Sequence, residues 1–188
     1  MNAFQAGFIA FGAALNVSVG YLVNILKLPL YLDSIGTILV SALCGWQYGI
    51  VTGFAALVVL TVTSVPTVFA YAGTVIVISL TSAAFAKIGF LRSVKITVIG
   101  GLVIGLVSSM ASVPVTAFLF GGVSLAGSDV ITTFFKAAGL PVWQSVLYGS
   151  LVTDPLDKLA TAVICLMLVR SLPAHLLDRL PGKQHPLR

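Results

Sequence analysis

An all-α, polytopic membrane protein of about six transmembrane helices is predicted by three observations. Hydrophobic residues fill 59% of the 188 positions and charged residues only 8%, whereas a soluble domain is about one quarter charged. No charge occurs anywhere in the 53 residues from 34 to 86. Apolar stretches near the ~20 residues that a spanning helix needs recur along the chain, separated by proline, glycine and basic segments.

The first helix is expected over 5–26, ended by Lys27-Leu28-Pro29, since proline disfavours helix at the residue before it. Ala6, Ala10 and Ala14 recur every fourth residue on one face, a small-residue ladder that lets another backbone come close where no hydrophobic drive exists between helices. It can serve packing within this chain or docking to another. Asn16, Ser18 and Asn24 are costly against lipid and are expected against protein or a cavity. Asn16-Val17-Ser18 has the form of a glycosylation sequon, but a position inside a span discards it. The first five residues lack the basic segment of a cleavable signal peptide, so the first helix is expected to stay.

Cutting the uncharged run at Trp46-Gln47-Tyr48 and at 63–67 gives short helices near 34–46, 48–64 and 68–86. Gly45, Gly49 and Gly53 keep helical spacing across the first cut, which a single continuous helix would also explain. Lys87, Arg92 and Lys95 have no acidic neighbour and place their segment on the cytoplasmic side. A further span over 96–120 carries a second close-packing ladder, Gly101, Gly105 and Ser109. Residues 130–151 read as two short helical pieces at the outer interface. The last span is expected to start at Asp154-Pro155, with Asp154 as N-cap and Pro155 in the first turn, and to end at Arg170. Residues 1–170 thus form one transmembrane helical domain and 171–188 a basic cytoplasmic tail, within which 174–180 is amphipathic enough to lie on the inner surface. Three helices in 34–86 make both termini cytoplasmic in a bacterial plasma membrane.

The net charge of +5 reports this orientation, and no basic face with interleaved aromatics points to nucleic acid. Cys44 and Cys165 lie in apolar runs and read as buried free thiols. His175 and His185 make no metal-ligand spacing, and neither a nucleophile elbow nor a phosphate-binding glycine loop occurs, so no metal, cofactor or catalytic residue is predicted. The informative cluster is Asp154, Asp157 and Lys158, with Asp33 approaching from the first outer loop. Asp154 and Lys158 are four apart and can pair. The cluster is either a helix cap with one ion pair or a polar anchor for a small ligand. Tyr31, Phe134, Phe135, Trp143 and Tyr148 form either an interfacial aromatic belt or a lid stacking on a ligand ring.

Six short helices, the alanine ladder on the first, Leu30-Tyr31-Leu32-Asp33-Ser34-Ile35-Gly36-Thr37 opening the second and Asp154-Pro155-Leu156-Asp157-Lys158 opening the last resemble the substrate-binding S components of energy-coupling factor (ECF) transporters. The resemblance covers nearly the whole chain in size and layout, although 121–152 is longer than the simplest family layout. It implies that Ala6, Ala10 and Ala14 dock on a transmembrane coupling subunit driven by two cytoplasmic ATPases. It also implies that a vitamin-like ligand sits in the outer half under the first outer loop, and that the whole subunit topples to release it inward. Mapped by position, the ligand site would be Tyr21, Asn24, Asp33, Trp143, Gln144, Asp154, Asp157 and Lys158. A membrane ligand sensor or regulatory subunit of a signalling system is the alternative; a membrane enzyme lacks a motif and a self-sufficient transporter lacks an internal repeat.

Overall fold

A computed structural model of the chain describes residues 3–63, 66–123, 129–173 and 176, and among these every regular element is a helix. The order is α1 (Ala3–Ile25), α2 (Ile35–Cys44), α3 (Trp46–Thr63), a 3-10 segment (Pro66–Tyr71) leading into α4 (Ala72–Ala86), α5 (Val94–Pro114) continued by a π turn (Val115–Leu119), α6 (Asp129–Ala137) and α7 (Val142–Ser171). Four of these stretches are long and apolar enough to cross a membrane: Ala3–Ile25, Trp46–Thr63, Thr67–Ala86 and Val94–Leu119. Their outward faces carry large apolar side chains such as Val62, Met110 and Phe118, each more than 70% exposed. A soluble surface would not leave so many such groups in water.

The uncharged run does hold three helices. Gly45, at φ +109°, separates α2 from α3, and this left-handed turn, which a side chain would strain, rules out one continuous helix. Gly49 then packs on Ser41, so closely that a Cβ there would overlap the serine hydroxyl. The second cut falls at 63–66, of which Ser64 and Val65 lie outside the described residues.

α2 is the centre of the bundle. All ten of its residues are buried, and it packs on α1, α3, α4 and α7. At 1.5 Å per residue it is only about 15 Å long, half a hydrocarbon core. Its start lies level with the middle of α1: a Cβ on Gly36 would overlap the Gly12 carbonyl, and Asn16 bonds to Gly36 and Thr37. The 26–34 segment therefore descends along α1, with Asp33 against Gly20.

The apolar core occupies the half of the bundle through which α2 runs. Ile38, Leu39, Val40 and Leu43 join Phe90, Leu91, Ile104, Cys165 and Val169 there. Phe90 and Leu91 belong to the basic 87–93 turn and plug that end, with Leu91 at φ +66° and its amide donating to Thr97. Both cysteines are free and buried, as expected. α5 lies along α7 through the expected ladder: Gly101 meets the backbone at Lys158 and Leu159, Gly105 meets Asp154 and Pro155, and the Ser109 hydroxyl reaches the Ser150 carbonyl at 3.3 Å.

The last helix departs from expectation. α7 starts at Val142, not at Asp154, and Asp154-Pro155 lies inside it. Proline forfeits one backbone hydrogen bond, a loss that neighbouring helices make tolerable in a membrane, and the tight α5 contact holds the helix through it. Of the two interfacial pieces expected over 130–151, only α6 is separate. The 174–180 surface stretch and the basic tail lie outside the described residues, except for Leu176.

Candidate functional site

Where α2 is missing its first half, the bundle is hollow. A cavity of about 270 Å³ opens between α1, the 26–34 segment and the upper parts of α3, α4, α5 and α7. Its floor is apolar, with Leu57, Val75 and Ile78, and its walls are polar, with hydroxyls, amides and four acidic or basic side chains: Asp33, Asp129, Asp154 and Lys158. Apolar cavities with a few converging polar groups are the usual form of a small-molecule site.

The floor is rigidly made. Asn16, 1% exposed, donates to the Thr37 hydroxyl at 2.8 Å and accepts the Gly36 amide at 2.7 Å. It thereby ties the start of α2 to α1. Further up, two irregular turns face each other: the Tyr71 hydroxyl, at the end of the 3-10 segment, lies 2.9 Å from Thr116 of the π turn. The Tyr71 ring stacks on Phe120 with centroids 5.7 Å apart. The π turn follows Pro114, whose missing N–H loosens the helix at that point.

The charged cluster is organised differently from the helix-cap reading. Lys158 pairs with Asp157 at 2.5 Å and with Asp33 at 3.7 Å, and no ion pair joins it to Asp154 among the described residues. Asp157 is fully buried. Its second oxygen accepts the backbone amides of Tyr31 and Leu32, both at 2.8 Å. Leu32 sits at φ +48°, an unfavourable conformation for a side-chain-bearing residue. The carboxylate thus holds the descending segment in a strained bend against α7. Asp33 is half exposed beside the cavity.

Of the expected ligand-site residues, the fold brings Tyr21, Asn24, Asp33, Asp154 and Lys158 to the cavity wall. Asp157 is not on that wall; its partners are the loop amides and Lys158. Trp143 and Gln144 are exposed and lie away from the cavity, with Trp143 stacked on Phe118 at 5.7 Å. They lie on the side of α7 away from Ser145, Val146 and Gly149, the buried residues of the same turns. Tyr31 is the one loop aromatic on the wall. Phe134 is 69% exposed, and Phe135 packs on Tyr148, an arrangement that suits a belt better than a lid.

Sequence reasoning expected Asn16 against protein or a cavity, where the fold places it, but missed its partner Thr37 and, on the wall, Ser112, Thr116 and Tyr71. The signal for two of these was available: Ser108, Ser112 and Thr116 recur every fourth residue on one face of α5. The alanine ladder lies away from the cavity. Ala10 and Ala14 are exposed, Ala6 is half-buried, and a Cβ at Gly7 would meet nothing among the described residues. Internal packing of α1 is made instead by Gly12 and Asn16, and Ser18 shares the outward face. A comparison of the chain with known protein families, curated proteins and solved structures finds no match.

Proposed function

We propose that this chain is the substrate-capture subunit of an ECF-type importer, a multi-pass plasma-membrane protein that binds a small vitamin-like molecule and leaves energy coupling to partners. The observation that carries the reading is the cavity of about 270 Å³ with polar walls, lying among helices long and apolar enough to cross a membrane and flanked by a strapped-down loop. Polar groups at membrane depth mark ligand paths. In this reading α1, α2, α3, α4, α5 and α7 are the six traverses, with α2 and the descending segment completing one between them. The 87–93 turn and both termini are cytoplasmic, and the cavity faces outward.

The small-residue face of α1 supports docking to a transmembrane coupling subunit through Ala6, Ala10 and Ala14, because Ala10 and Ala14 are exposed, Ala6 is half-buried and nothing among the described residues crowds Gly7 on that side. Two cytoplasmic ATPases would then drive toppling and release. The test is copurification from gentle detergent extracts, with mass spectrometry of protein partners and of any bound compound. A coupling subunit with ATPases supports the importer; a kinase or regulator in their place supports the sensor alternative and overturns this proposal.

A further inference from the structure

Resting on the capture reading, we infer that the cavity selects a ligand presenting a cationic or N–H-rich head to Asp154, and discriminates against anions. Among the ionisable side chains on the cavity wall there are three carboxylates, Asp33, Asp129 and Asp154, and one ammonium, Lys158. That ammonium is already held between Asp157 and Asp33. An anionic ligand would have to displace one of these carboxylates or share its cation.

Asp154 stands differently. It is 6% exposed, and among the described residues no cation lies within 4 Å of it. Its protein partners among the described residues are three hydroxyls, all of them shared: the Ser109 hydroxyl, which also reaches the Gly105 and Ser150 carbonyls at 3.0 and 3.3 Å, and those of Ser112 and Thr153. The Ser112 hydroxyl reaches Asp154 at 3.2 Å and the Ser109 carbonyl at 3.3 Å, with one proton between them. The Thr153 hydroxyl reaches Asp154 at 3.4 Å but the Gly149 carbonyl at 3.0 Å. A carboxylate has room for about four hydrogen bonds, so this one is under-satisfied in a place where an uncompensated charge is costly. A second signal comes from elsewhere on the wall. Ser34, 5% exposed, and Thr74 carry buried hydroxyls with no hydrogen-bond partner among the described residues. Buried polar groups in native proteins are normally paired, so these too call for polar atoms of a guest. The aromatic faces of Tyr31 and Tyr71 on the same wall suit a cation-bearing or flat ring.

The test uses benzamidinium, benzamide and benzoate, three planar probes of one shape carrying positive, zero and negative charge, with the purified full chain in detergent. Titration calorimetry reads affinity, and thermal shift reads occupancy. The expected order is benzamidinium, then benzamide, then benzoate, with about tenfold or more between the ends, the scale of one charge-assisted hydrogen bond. Asp154→Asn is expected to collapse that ratio towards one, and Ser34→Ala, which removes only an unpartnered hydroxyl, to weaken the probes without altering their order. Benzoate binding as well as benzamidinium, or no response to any of the three, overturns the inference, and this wild-type comparison holds even where a variant fails to fold. Mass spectrometry of the copurifying compound is an independent arm: a net anion overturns the charge preference while leaving the capture reading in place. The capture reading fails by its own route, when no coupling subunit or ATPase accompanies the chain.

Discussion

Replacing Asp157 by asparagine removes a single charge from the residue that fastens the 26–34 segment to α7. In the native protein one carboxylate oxygen takes the Tyr31 and Leu32 amides and the other takes Lys158. Asparagine keeps an acceptor for the amides but turns an amide or a weaker dipole toward the ammonium. Breaking one side of a buried ion pair costs about 3–5 kcal/mol, and the left-handed bend at Leu32 adds about 1–3 kcal/mol of strain that the weakened acceptor must hold. If the segment opens as a unit, a loss of about 3–5 kcal/mol raises amide exchange at Tyr31 and Leu32 roughly 10²–10⁴-fold. Hydrogen–deuterium exchange in detergent measures this directly, with the amides of α2 as the internal reference. Because the variant leaves Lys158 with Asp33 alone, Asp157→Asn combined with Lys158→Met is expected to be less destabilised than the sum of the two single variants. Unchanged protection at Tyr31 and Leu32 in Asp157→Asn, or strict additivity in the double variant, would refute the strap.

Ala10→Leu is expected to abolish uptake in cells carrying a full importer while leaving ligand affinity of the isolated chain unchanged, since Ala10 is exposed and remote from the cavity; normal uptake would remove the docking face. Gly36→Ala drives a methyl group into the Gly12 carbonyl and is expected to cost about 1–3 kcal/mol or more, read as a lower thermal midpoint. Asn16→Ala strands the Thr37 hydroxyl and the Gly36 amide, at about 1–3 kcal/mol for each group left unsatisfied, and should loosen the cavity floor; an unchanged midpoint would contradict that. Trp143→Ala and Gln144→Ala, whose side chains lie away from the cavity, are expected to leave the affinity of the copurifying compound unaltered.

By itself the sequence determined the material of this protein and most of its elements. Sparse charge and long apolar runs dictate membrane-crossing helices whatever their arrangement, because lipid offers no partner for a bare backbone group. The Trp46-Gln47-Tyr48 aromatics and the polar, proline-containing stretch 63–67 divided 34–86 into three helices, against the helical spacing of Gly45, Gly49 and Gly53, and four-residue spacing marked Ala6, Ala10 and Ala14 as a close-approach face and Gly101, Gly105 and Ser109 as another. Which ladder packs internally was a tertiary matter, since spacing is the same whether the neighbour belongs to the chain or not. The start of α7 was misread for a similar reason. Asp154-Pro155 has the chemistry of a helix start, and only the α5 backbone, lying against it at Gly105, keeps the helix running through. The pairing of Asp157 with amides 125 and 126 residues away left no local trace, because a hydrogen bond of that span depends on the route of the chain and not on its neighbours. The cavity, too, belongs to the tertiary structure: it exists because α2 begins halfway down α1, where Gly12 and Gly36 allow two backbones to touch.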